Sequence, residues 1–405
     1  MGKGNFFIGQ PIFSQLLKLI PRNLVLSVVK EFSADRYCKR FSTYDHLVTM
    51  LYAIFNQCNS LREVTTGMLA WEERLSHLGV NHHPCRSTFS DANKRRPSAV
   101  FEAIYLKLLN RLHPFLSDSR PAKSNKDQLY IFDATTITLF QEVLQGSGIR
   151  GYDGRRKGGI KVHTLMRSDL DVPTMIRFSP AACTDSGFLK HVQLPPGATV
   201  VFDRGYNHYA TFNQLSNQGV NWVTRLRARL VYEVLKHNPI SEQQQAKGII
   251  ADAHILLGAD TSRAPKVKAR LIEYIDPQSG RSLEFLTNNL HMSASTIADL
   301  YRNRWQIEVL FKRLKQNYPL KYFLGDNPNA IEIQIWCALI ADLLVKAVKN
   351  TVAQHWAFSN LTAMIRLHLM TYIHLPDFLK CPEKALRAIL AKTRISPQNP
   401  TLFPT

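Results

Sequence analysis

The 405-residue chain is 45% hydrophobic and 20% charged, which supplies a sizeable core and excludes a disordered polymer. Its 51 Lys and Arg exceed its 31 Asp and Glu, and the net charge of +20 points to a polyanionic partner, most simply nucleic acid. The six cysteines form no CxxC pair and read as reduced thiols of a cytoplasmic protein; no membrane span is predicted, since the most apolar segment, 331–348, carries Glu332, Asp342 and Lys346.

Residues 1–120 are predicted to form an all-α N-terminal domain. Phe13, Leu16, Leu17 and Ile20 recur at helical spacing, as do Leu47, Leu51, Ile54 and Phe55. A helix from Ser87 carries Lys94, Arg95 and Arg96 up to Pro97, giving a basic corner that suits a DNA reader or simply caps a structural module. His82, His83 and Cys85 match no zinc-finger spacing with Cys38 and Cys58. A polar linker follows, and then the composition turns to strands. Leu129–Phe132 is an apolar run ending in Asp133. The segment 146–159 contains a G-x-G-x-x-G match without the strand-to-helix context of a dinucleotide site. With Arg150, Arg155, Arg156 and Lys157 it reads instead as a phosphate-contacting loop. Segments 160–166 and 174–178 form a predicted hairpin around the turn 168–171.

The run Ala198–Phe202 repeats the first pattern, ending in Asp203, with Gly205 permitting a sharp exit into a helix over 209–217. A further strand is expected over 221–226, followed by a β-rich insertion over 227–282. Ser293 is the expected N-cap of one long helix that Pro319 ends. Two apolar helices are expected over 329–374, and the tail from Pro382 is basic and loosely specified.

The long helix holds the most informative spacing. Tyr301, Arg304, Glu308 and Lys315 fall at roughly 0°, 300°, 340° and 320° on an ideal wheel, beside an apolar stripe. Arg302 and Arg313 fall at roughly 100° and 120°, away from that arc, where they would serve only general DNA affinity. A solvated basic face would look similar. A lone carboxylate among cations also suits a metal ligand beside phosphate-binding groups, and Asp133 and Asp203 at strand ends are the acids that could join Glu308.

In this order, Asp133, Asp203 and Glu308 resemble the acids of the DDE transposases of bacterial insertion sequences. Tyr301-x2-Arg304-x3-Glu308-x6-Lys315 is similar to the YREK signature of the insertion-sequence-four family, and Asp203-Arg204-Gly205-Tyr206 to its second acidic motif. The resemblance implies an α/β chain with an RNase H-like catalytic core in 127–226 plus 283–350, the insertion between them, and C-terminal helices in 351–405 serving dimerisation or DNA contact. It implies that Asp133, Asp203 and Glu308 bind two Mg²⁺ ions, with Mn²⁺ substituting, and that Tyr301, Arg304 and Lys315 grip DNA phosphates. The implied activity is cut-and-paste transposition on double-stranded DNA, at terminal inverted repeats and target DNA, by a homodimer in the synaptic complex. Family members pass through a DNA hairpin whose flipped base rests on an aromatic side chain of the insertion; the aromatics there are Tyr232, Tyr274 and Phe285, with Trp222 just before. Another RNase H-like nuclease would share the acids, and a non-catalytic transposase derivative would share the charge.

Overall fold

The computed structural model describes residues 10–80, 83–116, 128–138, 159–183, 187–228, 230–258, 266–352 and 354–390. The glycine- and arginine-rich segment 146–158 and His82 lie outside these residues. The chain divides into two compact units, one made of Met1–Phe115 with Ile333–Thr405, the other of Leu116–Glu332.

The first unit is helical: α1 (Ile12–Leu17), α2 (Arg22–Phe32), α3 (Thr43–Phe55), α4 (Leu61–Leu69), α5 (Arg86–Arg95) and α6 (Ser98–Leu116) come from its N-terminal part. A capping box starts α3, with Ser42 and Asp45 satisfying each other's backbone amides. The fully buried His46 imidazole bonds Asn93 of α5 at 2.8 Å, and burial drives its pKa down to about 3, so it stays neutral. Arg96, expected on the basic corner, is instead buried and donates to the Phe41 carbonyl at 2.7 Å. The unit is discontinuous in sequence. The amides of Ile12 and Phe13 donate to the carbonyls of Thr371 and Leu369 at 3.1 and 2.8 Å, closing the first helix onto the last part of the described chain.

The second unit is built on a sheet whose nine strands, among the described residues, run in the order β3-β2-β1-β4-β5-β9-β8-β7-β6. These are β1 (Leu129–Thr138), β2 (Gly159–Arg167), β3 (Val172–Pro180), β4 (Thr199–Phe202), β5 (Asn221–Arg225), β6 (Tyr232–His237), β7 (Ile249–Leu257), β8 (Val267–Ile275) and β9 (Ser282–Thr287). β1 to β3 form an antiparallel meander, and β4 and β5 continue it in parallel. This is the strand arrangement of an RNase H-like core. β9 pairs with β5 on one side and β8 on the other, so the β-rich segment extends the core sheet.

Helices cover both faces. α7 (Tyr209–Asn217) packs Phe212 onto Trp222, which shares a cluster with Phe132, Val200 and Phe202. A short α8 (Glu242–Ala246) precedes β7. On the opposite face α9 (Ala294–Arg302) covers Val201 and Val223, and α10 (Trp305–Asn317) covers Ile131 and Met166. Alternating strand residues thus serve opposite helices, as a strand period of two requires.

The single long helix expected to end at Pro319 is two helices. Ser293 caps α9 as expected, but the chain tightens at Asn303–Arg304, where the Arg304 and Ile307 amides bond three residues back. Tyr301 therefore lies on α9, and Arg304 is the N-cap of α10. A long apolar α11 (Pro328–Thr351) and α12 (Phe358–Leu367) follow, then α13 (Leu375–Lys380) and α14 (Pro382–Leu390), so the expected loose tail begins as a helix. Gly205 sits in a short turn where an added Cβ would meet nothing within 4 Å, so the backbone there does not demand glycine. Among the described residues no helix is long and apolar enough to cross a membrane.

Candidate active site

Two acids become neighbours through sheet register. Phe132 and Phe202 are partners on the adjacent parallel strands β1 and β4, and Asp133 and Asp203 are the residues that follow them. Phe132 and Phe202 face α7, so the next residue on each strand turns to the other side, toward α9 and α10. Asp133 was expected at a strand end. The strand continues to Thr138 against β2, and what ends just before Asp133 is the pairing with β4.

Glu308 and Arg304 arrive from α10. The guanidinium of Arg304 lies between two carboxylates, with Nη1 3.2 Å from Asp133 Oδ2 and Nη2 2.6 Å from Glu308 Oε1. Asp203 Oδ1 accepts from Arg225 Nη2 at 2.9 Å and from the Tyr301 hydroxyl at 3.2 Å. Lys315 reaches strand β1, donating to Thr135 Oγ1 at 2.7 Å and to the Thr136 carbonyl at 3.3 Å. Tyr301, Arg304 and Glu308 are therefore gathered around Asp133 and Asp203, while Lys315 reaches β1 just beyond Asp133.

The electrostatics follow from crowding. Burial, reinforced by Asp203 and Glu308, pushes the Asp133 carboxyl up to about 6 against the opposing pull of the Ala134 amide and Arg304. Burial also acts on Asp203, but the hydrogen bond and charge of Arg225 outweigh it and hold that carboxyl below its usual value. Burial raises the Tyr301 phenol to about 12, so it donates as a neutral hydroxyl. Burial lowers the Lys315 ammonium. The Arg304 guanidinium is raised: burial opposes its charge, but the bond to Glu308 and the neighbouring Tyr301 and Asp133 outweigh it.

A cleft of 780 Å³ opens from this cluster, lined by Asp133, Thr135 and Glu308 and by Lys312, Lys315 and Lys321. Acids at one end and lysines along the wall suit a strand of phosphates brought to a reacting centre. Among the described residues no three carboxylates or other ligand side chains stand close enough together to enclose an ion as they are arranged. The donor set nonetheless fits a hard divalent cation: its ligand atoms are carboxylate oxygens, and Asp133 and Glu308 already face each other across the positive charge of Arg304.

Sequence reasoning missed Arg225 and Trp305. Arg225 shares a strand face with Val223, and the signal was a lone arginine ending the buried run of β5. Trp305, one residue after Arg304, is 63% exposed. The aromatics named for a flipped base are less accessible: Trp222, Tyr274 and Phe285 are buried, and Tyr232 is partly so.

The family described as Transposase DDE domain matches residues 124–344, and a domain of unknown function (DUF4372) matches residues 8–81. A putative transposase, y4zB, of Sinorhizobium fredii is 30% identical over 265 residues, covering 65% of this chain and 71% of that protein. The probable transposase for insertion sequence element IS5377 of Geobacillus stearothermophilus is 23% identical, covering 64% of this chain and 66% of its own. The putative transposase for insertion sequence element IS4SA of Synechocystis is 25% identical, covering 64% and 70%. The matched domain contains Asp133, Asp203 and Glu308 and implies dependence on a divalent metal. With an RNase H-like sheet, acids gathered at its parallel strands and a cationic cleft beside them, the chain belongs to the DDE transposases, enzymes that bind DNA, cleave it and transfer its strands.

Proposed function

We propose that Asp133, Asp203 and Glu308 are the catalytic acids and hold two Mg²⁺ ions, with Mn²⁺ able to substitute. The observation that carries this reading is the register that sets Asp133 and Asp203 side by side, with Glu308 joined to Asp133 through Arg304. Bound divalent ions would supply Lewis acidity and a water or 3′-hydroxyl of lowered pKa. The chain's residues do the rest. Tyr301, Arg304 and Lys315 grip phosphates beside the acids, Arg304 through its fork and Lys315 as a point charge. Trp305 offers an exposed stacking face next to Arg304 for a base displaced near the cut.

The substrates are the terminal inverted repeats and target DNA. The helices of 1–120, with exposed Lys94 and Arg95 on α5, contact the repeat, the segments 127–226 and 283–350 cut it, 227–282 supports the cutting site, and the helices of 351–405 serve dimerisation or DNA contact. Two copies pair in the synaptic complex. The test is cleavage of a duplex carrying the inverted repeat that flanks the gene, measured beside gel-shift affinity. Asp133→Ala, Asp203→Ala and Glu308→Ala should each abolish cutting while binding persists, because ligands of one centre act as a unit. Wild-type cutting by any one of them removes that residue from the centre.

A further inference from the structure

We propose that Arg313 and Gln306 are positioning residues for Glu308: with Asp171 and Ser168 they form a polar clamp that fixes the rotation of α10 about its own axis. This rests on the reading of Glu308 as a catalytic acid. Arg313 was expected to face away and serve general DNA affinity. Its side chain is instead only 12% exposed, and it is tied to the turn between β2 and β3. Nη1 lies 2.5 Å from Asp171 Oδ2, and Nη2 donates to the Asp171 carbonyl at 3.2 Å. One end of the same turn is tied to the first turn of the helix, where the Ser168 hydroxyl donates to Gln306 Oε1 at 2.8 Å.

The helix wheel shows why these contacts matter. Gln306 and Arg313 are seven residues apart and so only roughly 20° apart around the axis. Measured from Gln306, Leu310, Leu314, Ile307 and Phe311 fall at roughly 40–140°, and Lys315 and Glu308 at roughly 180–200°. The apolar stripe that packs on Ile131 and Met166 is therefore bounded on one side by the clamp and on the other by the catalytic acid. Apolar contact is non-directional and tolerates a small roll of the helix. Hydrogen bonds to a fork do not.

The anchor itself is conformationally committed. Asp171 sits at φ 47°, a left-handed conformation in which Asp is among the tolerated residues, and this turn lets one residue offer both its carboxylate and its carbonyl to Arg313. On the far edge of the stripe Lys315 bonds Thr135 and Arg304 bonds Asp133, so a roll released at the clamp would move Glu308 relative to β1.

The experiment uses the full-length protein and reads Mn²⁺ binding by electron paramagnetic resonance, DNA affinity in EDTA by gel shift, thermal unfolding, and cleavage. Arg313→Ala should weaken Mn²⁺ binding about tenfold, the size seen when a residue supporting a metal ligand is lost, and slow cleavage while DNA affinity stays within about twofold. Gln306→Ala should act in the same direction. Arg313→Lys should fall between Ala and wild type, since one charge cannot reproduce the paired bonds. These two milder variants also carry the test if Arg313→Ala does not fold. Loss of DNA affinity with unchanged Mn²⁺ binding would make Arg313 a phosphate contact and overturn the clamp, and so would wild-type behaviour of all three. Glu308→Gln is the reference. If it loses Mn²⁺ binding and cleavage while the clamp variants keep both, the clamp alone is wrong; if it keeps both, the catalytic assignment fails and the clamp with it.

Discussion

At the scale of single residues, the site is a charge balance, and two consequences can be measured. A carboxyl raised to about 6 when folded binds its proton more tightly than in the unfolded chain, so stability falls as pH rises from about 4 through 6. In metal-free buffer Asp133→Asn should therefore be more stable than wild type at pH 7–8, by on the order of 2–3 kcal/mol, with the difference vanishing below about pH 4. Denaturation curves at both pH values check this; a difference that grows on acidification has the wrong sign. Arg304 carries the second prediction. A solvated surface arginine would contribute about 0–1 kcal/mol, but this one bridges two carboxylates and its Nε is buried without a hydrogen-bond partner. Arg304→Ala should slow cleavage about a hundredfold or more while the fold persists, and Arg304→Lys should recover little of it. Cleavage by Arg304→Lys at the wild-type rate would show that charge alone suffices. The acids and the four-residue spacing were visible in the sequence as candidates because metal and phosphate chemistry would restrict residue types, and the fold places Arg304 between Asp133 and Glu308. Arg225 was not, because one arginine ending a short strand has no pattern until strand pairing brings it to Asp203.

Among elements, several strands and helices were legible, as with α9 from its Ser293 cap or the helix over 209–217 from the spacing of its apolar residues. The break between α9 and α10 was not. No Gly or Pro marks it, and the tightening at Asn303–Arg304 accompanies tertiary ties to Asp203 on one side and Asp133 on the other. The continuity of the sheet through β9 was also hidden, since composition does not report which edge a strand joins. One contact there sets where α9 begins. Arg270 of β8 pairs with Asp252 of β7, both buried, and also donates to the Met292 carbonyl just before the Ser293 cap. Arg270→Met should destabilise the protein by about 3–5 kcal/mol, because it strands a buried carboxylate. Asp252→Asn combined with Arg270→Met should be milder than Arg270→Met alone. Urea unfolding decides it, and a loss under about 1 kcal/mol for the single variant would mean that Asp252 finds another partner.

For the whole molecule, the +20 charge predicts that DNA affinity falls steeply with salt through counterion release. A protein making six to ten phosphate contacts loses about 10³–10⁵ in affinity between 50 and 200 mM salt, and a titration that stays flat over that range would show that the charge is not spent on phosphates. The discontinuity of the helical unit has a consequence in time. Helix α1 closes onto residues 369–371, so its backbone partners are synthesised long after it. The stretch Leu116–Glu332 emerges as one uninterrupted segment and can fold as soon as it clears the ribosome. Helix α1 must wait for more than three hundred further residues, on the order of twenty to seventy seconds at ordinary elongation rates. In a nascent chain still tethered beside its own gene, the sheet that carries Asp133 and Asp203 can thus be complete while helix α1 still waits for its backbone partners.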